Sequence, residues 1–186
     1  MCGIFFWKLG RNIIRGIHYT QKNKIIACFV SRLDEFTTHP FFTFLVWLVQ
    51  VGIDKVTKSK CDVHTFDPSK YPSQSVADKY NFKVHEMGIA PRDNGKFKTL
   101  ATIMNELGHS HIHIFKIDVE GAEQGVLPNL IEENVLSRIE QVAIEFHSVA
   151  MMKDGLDILE AAGFNIVFAR REDRCPHCTE VTMARI

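Results

Sequence analysis

Asp118, Glu120, Glu145 and His147 are the residues of this chain best suited to do chemistry. Asp118 and Glu120 lie in HIFKIDVEGAEQGVL, residues 113–127, and Glu145 and His147 close EQVAIEFH, residues 140–147. In both stretches an apolar run of strand character stops at carboxylates. A third carboxylate, Asp67, closes CDVHTFD, residues 61–67, just before Pro68. Ionised groups are costly inside a core, so their recurrence at strand ends needs a reason. Carboxylates can accept bonds from hydroxyls, take protons or ligate a cation. A histidine, with an ordinary pKa of about 6.5, adds a candidate general base. The plain alternative is a set of charged strand ends that meet solvent. Asp67 is also a natural cap for the turn before Pro68.

Positioning such groups requires a sheet with one chemically active edge. FLVWLVQVG reads as a buried first strand, and CDVHTFD and FKVHEMGI as the second and third. SQSVADKY, residues 73–80, reads as a short helix between them, and PRDNGK as a loop. TLATIMNELGH, residues 99–109, places Leu100, Ile103, Met104 and Leu107 on one helical face, with Gly108 as the stop. HIHIFKIDV, residues 111–119, is the fourth strand. A helix follows in GAEQGVLPNLIEENVLSRI, with Pro128 at a turn or a new helix start. EQVAIEFH is the fifth strand, and MMKDGLDILEAAGF, residues 151–164, a helix stopped by Gly163. NIVFARR and TEVTMARI are separated only by EDRCPHC, too short for a helical crossover, so they should pair as an antiparallel hairpin. Alternating strands and helices predict an α/β fold with a mostly parallel sheet. In such sheets ligands bind beyond the carboxyl ends of the strands, where strand order reverses. Asp67, Asp118, Glu120, Glu145 and His147 all fall on that edge.

FKIDVEGAE closely resembles the signature of FkbM-type methyltransferases, a class I group that uses S-adenosylmethionine, and most of all its animal methyltransferase-like branch. CDVHTFDPS, the GI after the third strand, KIDVEGAE and QVAIEFH occur here in that branch's order, and the resemblance covers about residues 50–186. It implies a Rossmann-like class I methyltransferase sheet, mostly parallel with an antiparallel C-terminal hairpin. It further implies S-adenosylmethionine as cofactor, held by Gly52, Asp67, Gly88 and Asp118. Asp67 would accept bonds from the two ribose hydroxyls, Gly52 would belong to the first cofactor loop, and Asp118 would line the methionine end. Glu120, Glu145 and His147 are the implied catalytic residues at the acceptor's mouth, with Gly121 making the turn. The implied reaction is methylation of an oxygen, with a nitrogen ranked second, on a small-molecule or glycan-like acceptor. The chain departs from the pattern between Gly52 and Cys61, where only IDKVTKSK stands in place of a longer segment with a helix. Residues 1–40 read as a divergent N-terminal segment and 41–186 as the methyltransferase domain. That departure keeps a second reading open: a scaffold of the same fold that has lost its cofactor.

The remaining signals narrow the classes. The 186 residues suit one domain with one core. Formal net charge is +0, so no basic field exists to collect phosphates, which argues against general nucleic-acid binding. The apolar run 41–53 is short for a membrane span of about 20 residues, so a buried strand is favoured over a membrane anchor. Five cysteines at irregular spacing read as free thiols of a reducing, slightly favoured cytoplasmic compartment, with a secreted chain carrying a bridge or two as the alternative. CPHC, residues 175–178, lacks a second ligand pair and reads as a turn rather than a zinc site. MCGI resembles the start of class II glutamine amidotransferases, but nothing downstream continues that pattern. Asp118, Glu120, Glu145 and His147 have the donor types for a divalent metal, a reading ranked below a metal-free site. His111 and His113 share one strand face and read as packed or solvated rather than metal-binding.

Overall fold

In the computed structural model the described residues are 24–30, 61–68, 74–80, 83–172 and 175–185. Their strands are β1 (Lys24–Val30), β2 (Cys61–Phe66), β3 (Lys83–His85), β4 (Gly88–Ile89), β5 (Phe97–Lys98), β6 (Ile112–Asp118), β7 (Ile139–Phe146), β8 (Asn165–Glu172) and β9 (Cys175–Ala184). The helices among them are α1 (Gln74–Tyr80), α2 (Leu100–Glu106), α3 (Glu123–Glu132) and α4 (Val149–Ala161), with a 3₁₀ turn at Leu136–Arg138.

Seven strands form one sheet in the order β3-β2-β1-β6-β7-β9-β8. The first five are parallel, and β9 pairs antiparallel with both β7 and β8. Strand order reverses at β1, which pairs with β2 on one edge and β6 on the other. The mixed sheet and its closing hairpin match the expectation from sequence.

Three boundaries differ from that expectation. The strand at the reversal is Lys24–Val30, so the sheet draws on a segment read as lying before the domain, while residues 41–53 lie outside the described residues. FKVHEMGI is not one strand. It stops after His85, and Gly88–Ile89 leaves the main sheet to pair with Phe97–Lys98. Pro128 lies inside α3 rather than at its start. A proline there removes one helical bond and crowds the preceding turn, and burial of Val126, Leu127 and Leu130 opposes that cost.

The core joins Phe115 and Ile117 of β6 and Val142, Ile144 and Phe146 of β7 to Val126, Leu127 and Leu130 of α3 and Leu159 of α4. Helix ends follow ordinary capping chemistry. Thr99 Oγ1 accepts from the Thr102 N–H at 3.2 Å, and Ser148 Oγ accepts from the Met151 N–H at 3.1 Å. At the chain's far end, Arg185 stacks over the Phe164 ring at 4.4 Å and donates to the carbonyls of Leu136, Ile139 and Ala162. That one guanidinium fastens the end of β9 to the 3₁₀ turn and the end of α4.

Cys175 and Cys178 are joined by a disulfide. CPHC is therefore the bonded start of β9 rather than a free-thiol turn, and Cys178 is buried.

Candidate active site

The carboxyl ends of β2, β6 and β7 carry the site. Phe66 pairs with Phe29, and Val30 pairs with Asp118. Asp67, one residue past β2, and Asp118, the last of β6, therefore flank the end of β1 at the reversal point. Asp67 is buried, and its backbone N–H donates to the His85 carbonyl at 3.0 Å, fixing its height beside β3.

Between Asp118 and α3 the chain turns through two left-handed residues, Glu120 (φ 53°) and Gly121 (φ 99°). The glycine adopts this region freely, whereas the glutamate does so at a cost. The turn returns Glu123 beneath the strand end. Glu123 is 1% exposed, and its Oε1 accepts from the Val119 N–H at 2.9 Å and from His147 Nδ1 at 3.1 Å. Burial pushes its carboxyl up, but those hydrogen bonds outweigh burial and leave it below the ordinary value.

His147 is consequently clamped. Its Nε2 lies 3.4 Å from Glu120 Oε2 and 3.7 Å from Asp118 Oδ1. The hydrogen bond to Glu123 does most to raise its pKa, and the charges of Glu123, Asp118 and Glu120 add to it against the opposing effect of burial. The result is about 9. At neutral pH His147 is an imidazolium, with no free lone pair for a substrate's proton.

Glu145 is the opposite case. The register sets Ile117 beside Ile144, and so Asp118 beside Glu145, while Glu180 of β9 pairs with Glu145 from the other side. Burial first, and then the Asp118 charge, raise the Glu145 carboxyl to about 7, against the lowering influence of Lys116 and His147. A carboxylate that exchanges its proton near neutrality is a better base than an ordinary one.

The sequence-selected Asp118, Glu120, Glu145 and His147 are thus brought together, with Asp67 across β1. Gly88 lies beside the Asp67 corner: a Cβ there would stand 2.6 Å from a Phe97 ring carbon and 3.6 Å from Pro68 Cδ. Gly52 lies outside the described residues. Sequence reasoning missed Glu123, which holds His147, although it stands within KIDVEGAE as an acidic residue of a helix's first turn. It also missed Glu180 and Lys116, which only strand register brings to Glu145. Asp118, Glu120 and His147 set ligand atoms within 4.8 Å of one another, and the Cys178 sulfur that lies near Glu145 and His147 is taken up in the disulfide.

Comparison with known proteins decides the family. A methyltransferase-domain family model matches residues 48–175. The chain belongs to the methyltransferase-domain family. Human probable methyltransferase-like protein 24 is 37% identical over 97 residues, which are 47% of this chain and 26% of that protein. The rat protein of the same name is 38% identical over 97 residues, with the same shares. The chain therefore spans about a quarter of the length of these curated relatives. Among solved structures, the Methanococcus jannaschii fibrillarin pre-rRNA processing protein superposes with a TM-score of 0.52 at 13% identity, covering 88% of this chain and 66% of that one. A Streptococcus agalactiae protein of the NADB-Rossmann superfamily gives 0.51 at 13% identity, covering 87% and 61%. These likenesses establish a Rossmann-like fold. Fold and domain are those of S-adenosylmethionine-dependent methyltransferases. Two carboxylates, Asp67 and Asp118, flank the reversal point, where sheets of this kind bind ligands and where carboxylates can accept from hydroxyls or face a cation.

Proposed function

We propose that this methyltransferase domain moves a methyl group from S-adenosylmethionine to an oxygen of a small-molecule or glycan-like acceptor, with Glu145 as the base. The FkbM-type resemblance of KIDVEGAE supports that reading within the family. The observation that carries it is Glu145 beside Asp118, its carboxyl raised to about 7. Bound S-adenosylmethionine supplies an electrophilic methyl on a positively charged sulfur. Asp67 holds the ribose hydroxyls, and Asp118 faces the cationic end. Glu145 takes the acceptor hydroxyl's proton as the oxygen becomes nucleophilic. His147, held by Glu123, Asp118 and Glu120, is a fixed cation that steadies the carboxylates and orients the turn at Glu120. In-line displacement needs orientation more than covalent help, which suits a site mounted on strand ends.

Titration calorimetry with S-adenosylhomocysteine and a methyl-transfer assay over a panel of hydroxylated acceptors test this reading. Asp67→Ala should weaken binding at least about 10-fold, the loss of roughly one charge-assisted hydrogen bond. Glu145→Gln should leave binding intact and lower turnover about 100-fold or more. Undiminished binding in Asp67→Ala removes the ribose assignment. Full turnover in Glu145→Gln removes the base. A folded chain that binds neither S-adenosylmethionine nor its product is instead a scaffold.

A further inference from the structure

His111, His113 and Glu140 form a separate cluster at the opposite edge of the sheet. His111 precedes β6, His113 is its second residue, and Glu140 is the second residue of β7. The register pairs Ile112 with Ile139 and Ile114 with Gln141, which sets His113 and Glu140 side by side between them. His111 lies two positions before His113, so alternation puts both rings on the face that carries Glu140. Glu140 Oε1 is 2.9 Å from His111 Nε2 and 3.7 Å from His113 Nε2. The two imidazoles meet edge to face, with centroids 4.9 Å apart. All three residues place a ligand atom within 4.8 Å of the others.

We propose that His111, His113 and Glu140 bind zinc or a chemically similar divalent transition ion. Two imidazoles and one carboxylate are a donor set such ions favour, with a water completing the coordination. In a tetrahedral centre with bonds of about 2.0–2.1 Å, neighbouring ligand atoms stand about 3.3 Å apart. The two separations to Glu140 bracket that value. β6 and β7 are paired along their length, so His113 and Glu140 are held before an ion arrives, with His111 one residue before β6. The His111 side chain is 39% exposed and leaves an entry path, while His113, at 10%, is the anchored ligand. The site lies about 20 Å from Asp118, six strand steps along β6, and does not depend on the methyl-transfer reading. Its ion would pin the amino ends of β6 and β7 together and leave the reacting edge untouched.

Cobalt(II) is the probe, titrated into the full oxidised chain and followed by visible absorption and by thermal unfolding. One equivalent should bind with the ligand-field bands of a nitrogen–oxygen site and without a thiolate charge-transfer band, and should raise Tm. The double variant His111→Asn/His113→Asn should weaken binding at least about 100-fold, and Glu140→Gln at least about 10-fold. Glu120→Gln and the pair Cys175→Ser/Cys178→Ser should bind as the wild type does, because they alter the other donor clusters among the described residues. The proposal is overturned if the folded wild type takes up no cobalt at millimolar concentration. It is equally overturned if the double histidine variant, folded by circular dichroism, keeps the spectrum and affinity, or if the bands are lost in the Glu120 or cysteine variants instead.

Discussion

At the scale of single residues, protonation is distributed by what lies within a few ångströms. His147 is raised to about 9, Glu145 to about 7, and His64 is lowered to about 4. His64 is buried, with Nδ1 2.9 Å from His85 Nε2 and Nε2 3.1 Å from His109 Nε2. Burial lowers it most, followed by the like charges of His109 and His85. Linkage turns each shift into a dependence of stability on pH. The folded chain holds the His147 proton more tightly than the unfolded chain does. That contribution is complete below about 6.5 and is lost as pH rises through 9. His64 acts in the other direction, and its contribution is lost as pH falls from 6.5 towards 4. Glu145 favours its protonated form when folded, so it costs stability as pH rises from 4.5 through 7. It therefore masks the acid-side loss due to His64. Urea unfolding of Glu145→Gln should show a steeper loss below pH 6.5 than the wild type. At pH 8 the variant should be more stable than the wild type, because a disfavoured ionisation has been removed. Equal pH profiles for the two proteins would contradict the raised carboxyl. Residue types at strand ends were legible in the sequence, whereas protonation states were not. KIDVEGAE does not say that Glu123 returns beneath His147, and no local pattern puts Glu180 beside Glu145.

Elements hold these groups in place through close packing. Helix α4 lies against the end of β7 at Gly155, where a Cβ would stand 2.4 Å from a Phe146 ring carbon and 2.9 Å from Leu127 Cδ1. Phe146 sits between Glu145 and His147 in the chain. Gly155→Ala should therefore cost about 1–3 kcal/mol, as overpacked core sites do. Because the strain falls on Phe146, turnover should drop as well. Urea unfolding and the methyl-transfer assay check both expectations, and a variant as stable as the wild type would mean that α4 does not bear on β7. Helices α2 and α4 were readable because a period of 3.6 runs between clear stops, and strands β6 and β7 because each is a short, largely apolar run of strand length. The break after His85 was not readable. FKVHEMGI keeps its apolar character through a point where hydrogen bonds to Lys96 and Lys98 draw Gly88 and Ala90 out of the main sheet.

The whole molecule depends on one strand. β1 supplies the pairing between β2 and β6, and its carboxyl end lies between Asp67 and Asp118. The parallel sheet and closing hairpin followed from the order of strands and helices. The identity of β1 did not, because the longer apolar run 41–53 competes with KIIACFV for that place on hydrophobicity alone. Ala27 pairs with His64 on one side and Phe115 on the other. Ala27→Pro should therefore cost about 3 kcal/mol or more, since proline is not tolerated in a doubly paired strand. Urea unfolding measures that loss, and an unchanged midpoint would remove Lys24–Val30 from the centre of the sheet.

The same arrangement governs the order of assembly. Among the described strands β1 precedes its partners, which come only with Cys61–Phe66 and Ile112–Asp118. The antiparallel hairpin β8–β9 closes over a short stretch of chain, whereas the two contacts of β1 each close a long loop at a larger entropic cost. The centre of the sheet is therefore its least local part: β1 is paired on both sides only once Ile112–Asp118 has joined it, whereas β8 needs only the strand that follows it.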